Sequence, residues 1–259
     1  MKDCREEWYD KNAKVAVTIV DVTSAAQELA RGHLAGPTAA HYLTEALASV
    51  ALLGAEMSEQ DETVILQAKC SGPLGGYNVE CTSEGTLRGY TEKKVLDGFD
   101  GLGKPKDRMV LGDQQIQVTR SVPGRILSQG ISASLDGYFA GSLQRKACLK
   151  VEAAVSDEVE ILEARGILVE DLPDAKGPMT CCKTDDLKSL AVASRNILKQ
   201  LGLEKAELRK MTPLRFACGC SPERAAAMLA AMPPEERETL PSSIDITCHM
   251  CGKTFTVKV

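Results

Sequence analysis

RFACGCSPER (215–224) and ITCHMCGKTFTV (246–257) place four of the chain's ten cysteines in two tight pairs, Cys218 with Cys220 and Cys248 with Cys251. Cys-x-x-Cys-Gly has the form of a metal knuckle, two thiolates on one turn with Gly252 letting the backbone curl beneath an ion. Cys-x-Cys is less usual. Two such pairs, with a helix and a hairpin predicted between them, nevertheless suit a tetrahedral four-sulfur site, and soft thiolates favour Zn2+. An iron site and two metal-free dithiols are the alternatives.

The surrounding segment reads as a small module over 214–259. Ser221 is placed to cap a helix with Pro222 at its first position, Ala225, Met228, Leu229 and Met232 share one face, and Pro233-Pro234 ends it. SIDITCHMCGKTFTVKV (243–259) then reads strand, turn, strand, with Phe255, Val257 and Val259 alternating against polar residues. A module this small seldom builds an adequate core, whereas a structural zinc contributes on the order of 10 kcal/mol at neutral pH.

Upstream, strands and helices mix. KVAVTIVDVT (14–23) carries Val15, Val17 and Ile19 on one face and, like TVILQAKC (63–70), reads as a strand. Pro37 opens TAAHYLTEALASVALLGAEM (38–57), an Ala/Leu-rich buried helix. YNVECTSEGTLRGYT (77–91) is a hairpin turning at Ser83-Glu84-Gly85, and ACLKVEAAV (147–155) with GILVEDL (166–172) is another strand pair. In DDLKSLAVASRNILKQLG (185–202), Leu187, Leu190, Ala191, Ser194, Ile197, Leu198 and Leu201 recur at helical spacing. Since several are only Ala or Ser, the expectation is a helix that buries modest area and docks weakly on something else, followed by a charged segment with little to bury (204–211). The fold class is therefore α+β: a mixed core with antiparallel strands (1–175), a weakly docked helical linker (176–213) and a small C-terminal Cys4 zinc-binding domain (214–259).

Charge and composition narrow the function. With 31 basic and 36 acidic side chains in 259 residues, the net charge of −5 disfavours a chain-wide attraction to nucleic acid or anionic membrane. Residues 214–259 are themselves neutral, which argues against a nucleic-acid-binding ribbon. MKDCREEWYDKNAKVAV (1–17) lacks the basic and apolar runs of a secretory signal, so the expected compartment is the cytoplasm, where paired cysteines are more often metal ligands or redox thiols than permanent disulfides. A thioredoxin-like reading fails because Cys-x-x-Cys precedes a terminal strand, and CGKT (251–254) lacks the earlier glycine of a phosphate loop, Thr247 standing there. No nucleophile and base are assembled, so no enzyme is expected; His33 and His41 receive no catalytic role, and His249 is a spectator between two ligands. Cys4, Cys70, Cys81 and Cys148 read as small core residues, and Cys181-Cys182 as two free thiols in a loop. A Cys218–Cys220 disulfide would close a very small, strained ring, easily reversed and suited to a switch.

With these motifs in place the chain closely resembles a family, the 33-kilodalton heat-shock proteins, which are redox-regulated holdase chaperones. The likeness covers nearly the whole chain: LTEALASVALLGAEM (43–57), GPLGGYNVECTSEGTLRGY (72–90), YFAGSLQ (138–144), ARGILVEDLP (164–173) and, most specifically, the two cysteine motifs. It implies that Cys218, Cys220, Cys248 and Cys251 hold one Zn2+ per chain when reduced and that this form is quiescent. It further implies that oxidation pairs Cys218 with Cys220 and Cys248 with Cys251, releases zinc, unfolds the linker and exposes apolar surface to unfolded or oxidatively damaged clients, without ATP. The implied partners are those clients, a second copy in an active homodimer, and ATP-dependent refolding chaperones. Two stretches depart from the family pattern, LSQGISAS (127–134) and Ser142-Leu143-Gln144. The competing expectation is a constitutive binding protein whose zinc is purely structural.

Overall fold

The computed structural model describes residues 3–101, 106–173, 175, 184 and 187–259. The first half runs β1 (Cys4–Asp10), β2 (Val15–Asp21), α1 (Thr23–His33), α2 (Pro37–Leu53), β3 (Thr63–Cys70), β4 (Gly76–Thr82), β5 (Thr86–Thr91), α3 (Asp107–Val110), β6 (Gln114–Val122) and β7 (Arg125–Ser132). Then follow α4 (Leu135–Gly137), running into a π turn, β8 (Lys146–Val155), β9 (Ile161–Asp171), α5 (Ser194–Gln200), β10 (Glu207–Pro213), β11 (Arg215–Phe216), α6 (Pro222–Ala230), α7 (Pro234–Arg237), β12 (Ser243–Thr247) and β13 (Thr254–Lys258).

Two sheets close over α2. The first has the order β10-β1-β2-β9-β8 and the second β11-β5-β4-β3-β6-β7, with every pair antiparallel except β11 on β5. Pro37 stands at the first turn of α2, Asp100 Oδ1 accepts the Thr38 amide at 2.9 Å, and fifteen of its seventeen residues are buried. Such a helix must be covered on all sides. Val20, Ala164 and Leu168 of the first sheet and Val64, Leu66, Val79, Leu87 and Val118 of the second belong to the same core as Leu43, Leu47, Leu52 and Leu53. The strands expected at 14–23, 63–70, 77–91, 147–155 and 166–172 are all present, as is the helix from Pro37. Of the four cysteines expected in the core, only Cys81 is fully buried; Cys4, Cys70 and Cys148 are half-buried.

The outer face of the first sheet carries Trp8, Val15, Val17, Ile19, Ile167 and Val169, covered by Leu187, Leu190, Ile197, Leu198, Leu201, Leu203 and Ala206. None of these seven covering residues is more than 3% exposed, so the dock is larger than the Ala and Ser positions suggested. Ala191 is exposed and Ser194 only half-buried; Leu and Ile supply the seam instead. At about 1.5–3 kcal/mol per fully buried large side chain, the gross gain is substantial, to be set against the ordering of some twenty residues.

The helical expectation is also corrected. Of 187–202, only Ser194–Gln200 is α-helical. Ahead of it the main chain is bound by sheet side chains: Lys150 Nζ donates to Leu187 O at 2.6 Å, Leu190 N donates to Glu152 Oε2 at 2.7 Å, and Arg165 Nη1 donates to Leu190 O and Val192 O at 2.9 and 3.3 Å. These bonds replace the i to i−4 bonds a helix would make. The charged stretch beyond α5 becomes β10, an edge strand on β1 with only Thr212 buried. Cys181 and Cys182 lie outside the described residues.

Candidate metal centre

The cysteine module leaves the second sheet directly. β11 pairs Arg215 with Thr86 and Phe216 with Leu87, the Ala217 amide donates to Leu87 O at 3.2 Å, and Cys218-Gly219-Cys220 follows. Ser221 is extended, its Oγ accepts the Arg224 amide at 3.2 Å, and Pro222 begins α6, as the cap signal requires. Arg224 Nη1 also donates to Gly219 O at 2.8 Å, tying α6 back to the Cys-Gly-Cys turn. The second pair sits on the β12–β13 turn. Cys248 N donates to Lys253 O at 2.9 Å and Gly252 N to Cys248 O at 2.8 Å, and Gly252 adopts φ +73°, which favours glycine. Ala225, Leu229, Phe255 and Val257 form the module's own core, while Val259 lies beyond β13 and is exposed.

All four Sγ atoms lie within 4.8 Å of one another. Cys218 faces Cys248 at 3.8 Å and Cys220 faces Cys251 at 3.4 Å. A tetrahedron with metal–sulfur bonds of about 2.3 Å has sulfurs roughly 3.8 Å apart, so the thiols are positioned to hold a metal ion. Burial pushes the Cys220 and Cys251 thiols up. At Cys218 the same effect is outweighed by bonds from the Cys220 backbone and the Arg88 guanidinium, which bring the thiol down to about 7. A divalent cation amid four sulfurs stabilises the thiolate form of all of them.

The module also touches the core at residues that carry no functional signal of their own in the sequence. Gly89 N donates to Met250 O at 3.0 Å, and His33 Nε2, buried at the end of α1, bonds Gly89 O at 2.8 Å. Arg88 Nη1 donates to Cys218 Sγ at 3.6 Å. A Cβ on Gly252 would meet Gly32 O at 2.0 Å, and one on Gly32 would meet Cys251 O at 2.6 Å, so the two backbones pack without room for a side chain. His249 packs edge-on against Tyr90 with centroids 5.7 Å apart, and His41 pairs with Glu45 inside α2 at 3.2 Å. Among the described residues the other thiols, Cys4, Cys70, Cys81 and Cys148, do not join the cluster; burial pushes Cys4 and Cys70 up, and Cys81, beside the buried Arg5, to about 11. Among the described residues no helix is long and apolar enough to cross a membrane.

A two-sheet core wrapped around one buried helix, with a four-thiol module paired to its second sheet, is the class of molecule defined by this geometry. The chain belongs to the Hsp33 family of chaperones, whose model, described as Hsp33 protein, matches residues 6–258. A 33 kDa chaperonin of Thermus thermophilus is 27% identical over 270 residues, spanning 92% of this chain and 79% of that protein. One from Geobacillus kaustophilus is 26% identical, spanning 94% and 90%. The crystal structure of the 33 kDa chaperonin (heat shock protein 33 homolog) from Thermotoga maritima superposes with a TM-score of 0.88 at 20% identity, over 100% of this chain and 95% of that one, a likeness of fold.

Proposed function

We infer that the chain is a redox-gated holdase that works without ATP in the cytoplasm. Its ligands are Cys218, Cys220, Cys248 and Cys251, holding one Zn2+ per chain in the reduced, quiescent form. Oxidation joins Cys218 to Cys220 and Cys248 to Cys251. Each pair of zinc-bound thiolates gives up two electrons to one molecule of hypochlorous acid, which takes a proton from solvent and is reduced to chloride and water. A disulfide sulfur no longer binds zinc as a thiolate does, so the ion leaves and the module loses its principal stabilisation. The three-part division then acts as core (1–175), release segment (176–213) and sensor (214–259). Released segments bare an apolar face to unfolded or oxidatively damaged clients, the active form is a homodimer, and ATP-dependent chaperones take the clients on.

One observation carries this reading: the segment covering the apolar face of Trp8, Val17, Ile19, Ile167 and Val169 leads through β10 and β11 straight into Cys218. Disorder in the sensor reaches the cover by stripping β11 from β5 and β10 from β1, the two strands that stand between them. The cover suits release, because α5 lacks a side-chain cap and Arg165 and Lys150 retain sheet partners, Asp21 at 3.2 Å and Glu152 at 3.4 Å, once it departs.

The test is light scattering from a chemically unfolded client, with reduced zinc-loaded protein set against hypochlorite-treated protein while a chelating dye reads released zinc. Suppression of aggregation only after release of about one zinc per chain supports gating. Zinc that stays bound, or equal suppression in both states, makes the site a structural clamp. Tryptic cleavage at Arg224 and Arg237 separates the two cysteine pairs, so neighbour pairing yields two independently bridged peptides and cross pairing yields one linked product.

A further inference from the structure

The geometry points to Arg88 as a positioning residue of the thiol centre, supplied by the core and not by the module that carries the cysteines. The inference rests on the metal reading above and is independent of redox gating. Three successive residues of β5 meet the module: Arg88 donates to Cys218 Sγ at 3.6 Å, Gly89 donates to Met250 O at 3.0 Å, and Tyr90 packs edge-on to His249. Arg88 is itself fixed, since its Nε donates to Glu80, the residue opposite it on β4. β11 runs parallel to β5 up to Leu87, so the strand delivers Cys218 to the position where the Arg88 side chain reaches it.

The chemistry gives this contact a purpose. A divalent ion held by four thiolates carries a net charge of −2, and three of these sulfurs are half-buried while Cys251 is buried. A guanidinium N–H···S bond offsets that charge and fixes the sulfur's orientation, the role that outer-shell partners play in metal sites. Arg88 is the cation whose hydrogen bond to a centre sulfur the structure records. Glu80 holds the guanidinium in place through its other edge, leaving Nη1 for Cys218. The centre is thus completed across the junction between core and module, and metal affinity and docking of the module are linked through one side chain.

The experiment uses the full-length reduced chain as wild type, Arg88→Met, Arg88→Lys and Glu80→Gln. Zinc affinity is measured by competition with a chromophoric chelator, and the cadmium NMR resonance is recorded for the cadmium-substituted proteins. Arg88→Met is expected to weaken zinc by about tenfold to a hundredfold and to move the cadmium resonance. Arg88→Lys, which keeps the charge, recovers part of the affinity, and Glu80→Gln, which frees the guanidinium, gives a smaller loss. Circular dichroism and thermal melting establish that each core is folded. If Arg88 serves only the β4–β5 pair, Arg88→Met lowers the melting temperature while zinc affinity and the cadmium resonance stay at wild-type values, and the inference is overturned. A wild-type chain that takes up no zinc overturns the metal reading and this one together; zinc uptake without oxidant-dependent holdase activity overturns gating alone.

Discussion

Around α2, Leu43, Leu47, Leu52 and Leu53 are at most 1% exposed and draw on the inner faces of two sheets, whereas the C-terminal module encloses only Ala225, Leu229, Phe255 and Val257 in a core of its own. The first region is held by apolar burial around α2, which Cys251 of the module joins. The second is too small for burial to suffice and depends on four thiols and what they hold. Under the gating proposed above, keeping the two kinds of stability in separate regions would let one chemical stimulus melt the module and leave the scaffold standing. The cover at 187–206 lies between them, apolar like the core but chained to the sensor.

The largest effect tests the sensor. Cys248→Ser should abolish tight zinc binding and leave 214–259 protease-sensitive even when reduced, removing a contribution on the order of 10 kcal/mol. Unchanged zinc content and protease resistance would break the contrast at its sensitive end. In the scaffold, Leu47→Ala should cost about 2–5 kcal/mol, read as a lower melting temperature shifted equally in reduced and oxidised protein. A shift confined to one redox state would mean that the core is not independent of the thiols. Leu198→Ala in the cover removes the same chemistry for about 2–4 kcal/mol, but the loss should appear as local proteolysis near α5 in the reduced chain. Global melting without local cleavage would assign the cover to the scaffold.

The smallest expected effect is acid sensitivity of the scaffold alone. The fully buried Glu62 accepts Arg120 Nε at 2.6 Å and the amides of Ser58 and Glu59 at 2.9 and 3.1 Å. Burial by itself would raise its carboxyl, but these bonds, led by Arg120, hold it below the ordinary value of 4.5. A depressed folded-state value means that the stabilisation is present above the unfolded pKa and is lost as pH falls through the folded one. Glu62→Gln should therefore flatten the acid limb of the melting curve; an unchanged limb removes Glu62 as its source.

The sequence made the sensor legible because its chemistry is local: each cysteine pair spans at most four residues, and the helix cap, knuckle glycine and alternating final strand lie alongside. β2, β3 and α2 were legible for a similar reason, a clear apolar period. β1 was missed because CREEWYD is mostly charged, although Arg5 is buried to 1% and satisfied by Glu7 Oε1 and Ala51 O. The polar stretches of β6 and β7 likewise show little alternation, and α1 went unread. At 187–193 the apolar spacing suited a helix, yet partners more than twenty residues away bind the main chain. Arg88, His33 and the contact of Gly32 with Gly252 were invisible for the same reason, since each gains its meaning from a residue over a hundred positions distant or from a strand that faces it.

The bonds from Lys150, Glu152 and Arg165 reach only main-chain atoms of the cover, and those atoms are the same whatever side chains it bears. Lys188 and Ala191, both exposed, are accordingly free to drift while Leu187 and Leu190 keep their places and Ser189 Oγ accepts the Ala191 amide at 3.0 Å. Under the release proposed above, changes of turn preference or charge at those exposed positions would adjust how readily the cover lets go without redesigning the sheet beneath it.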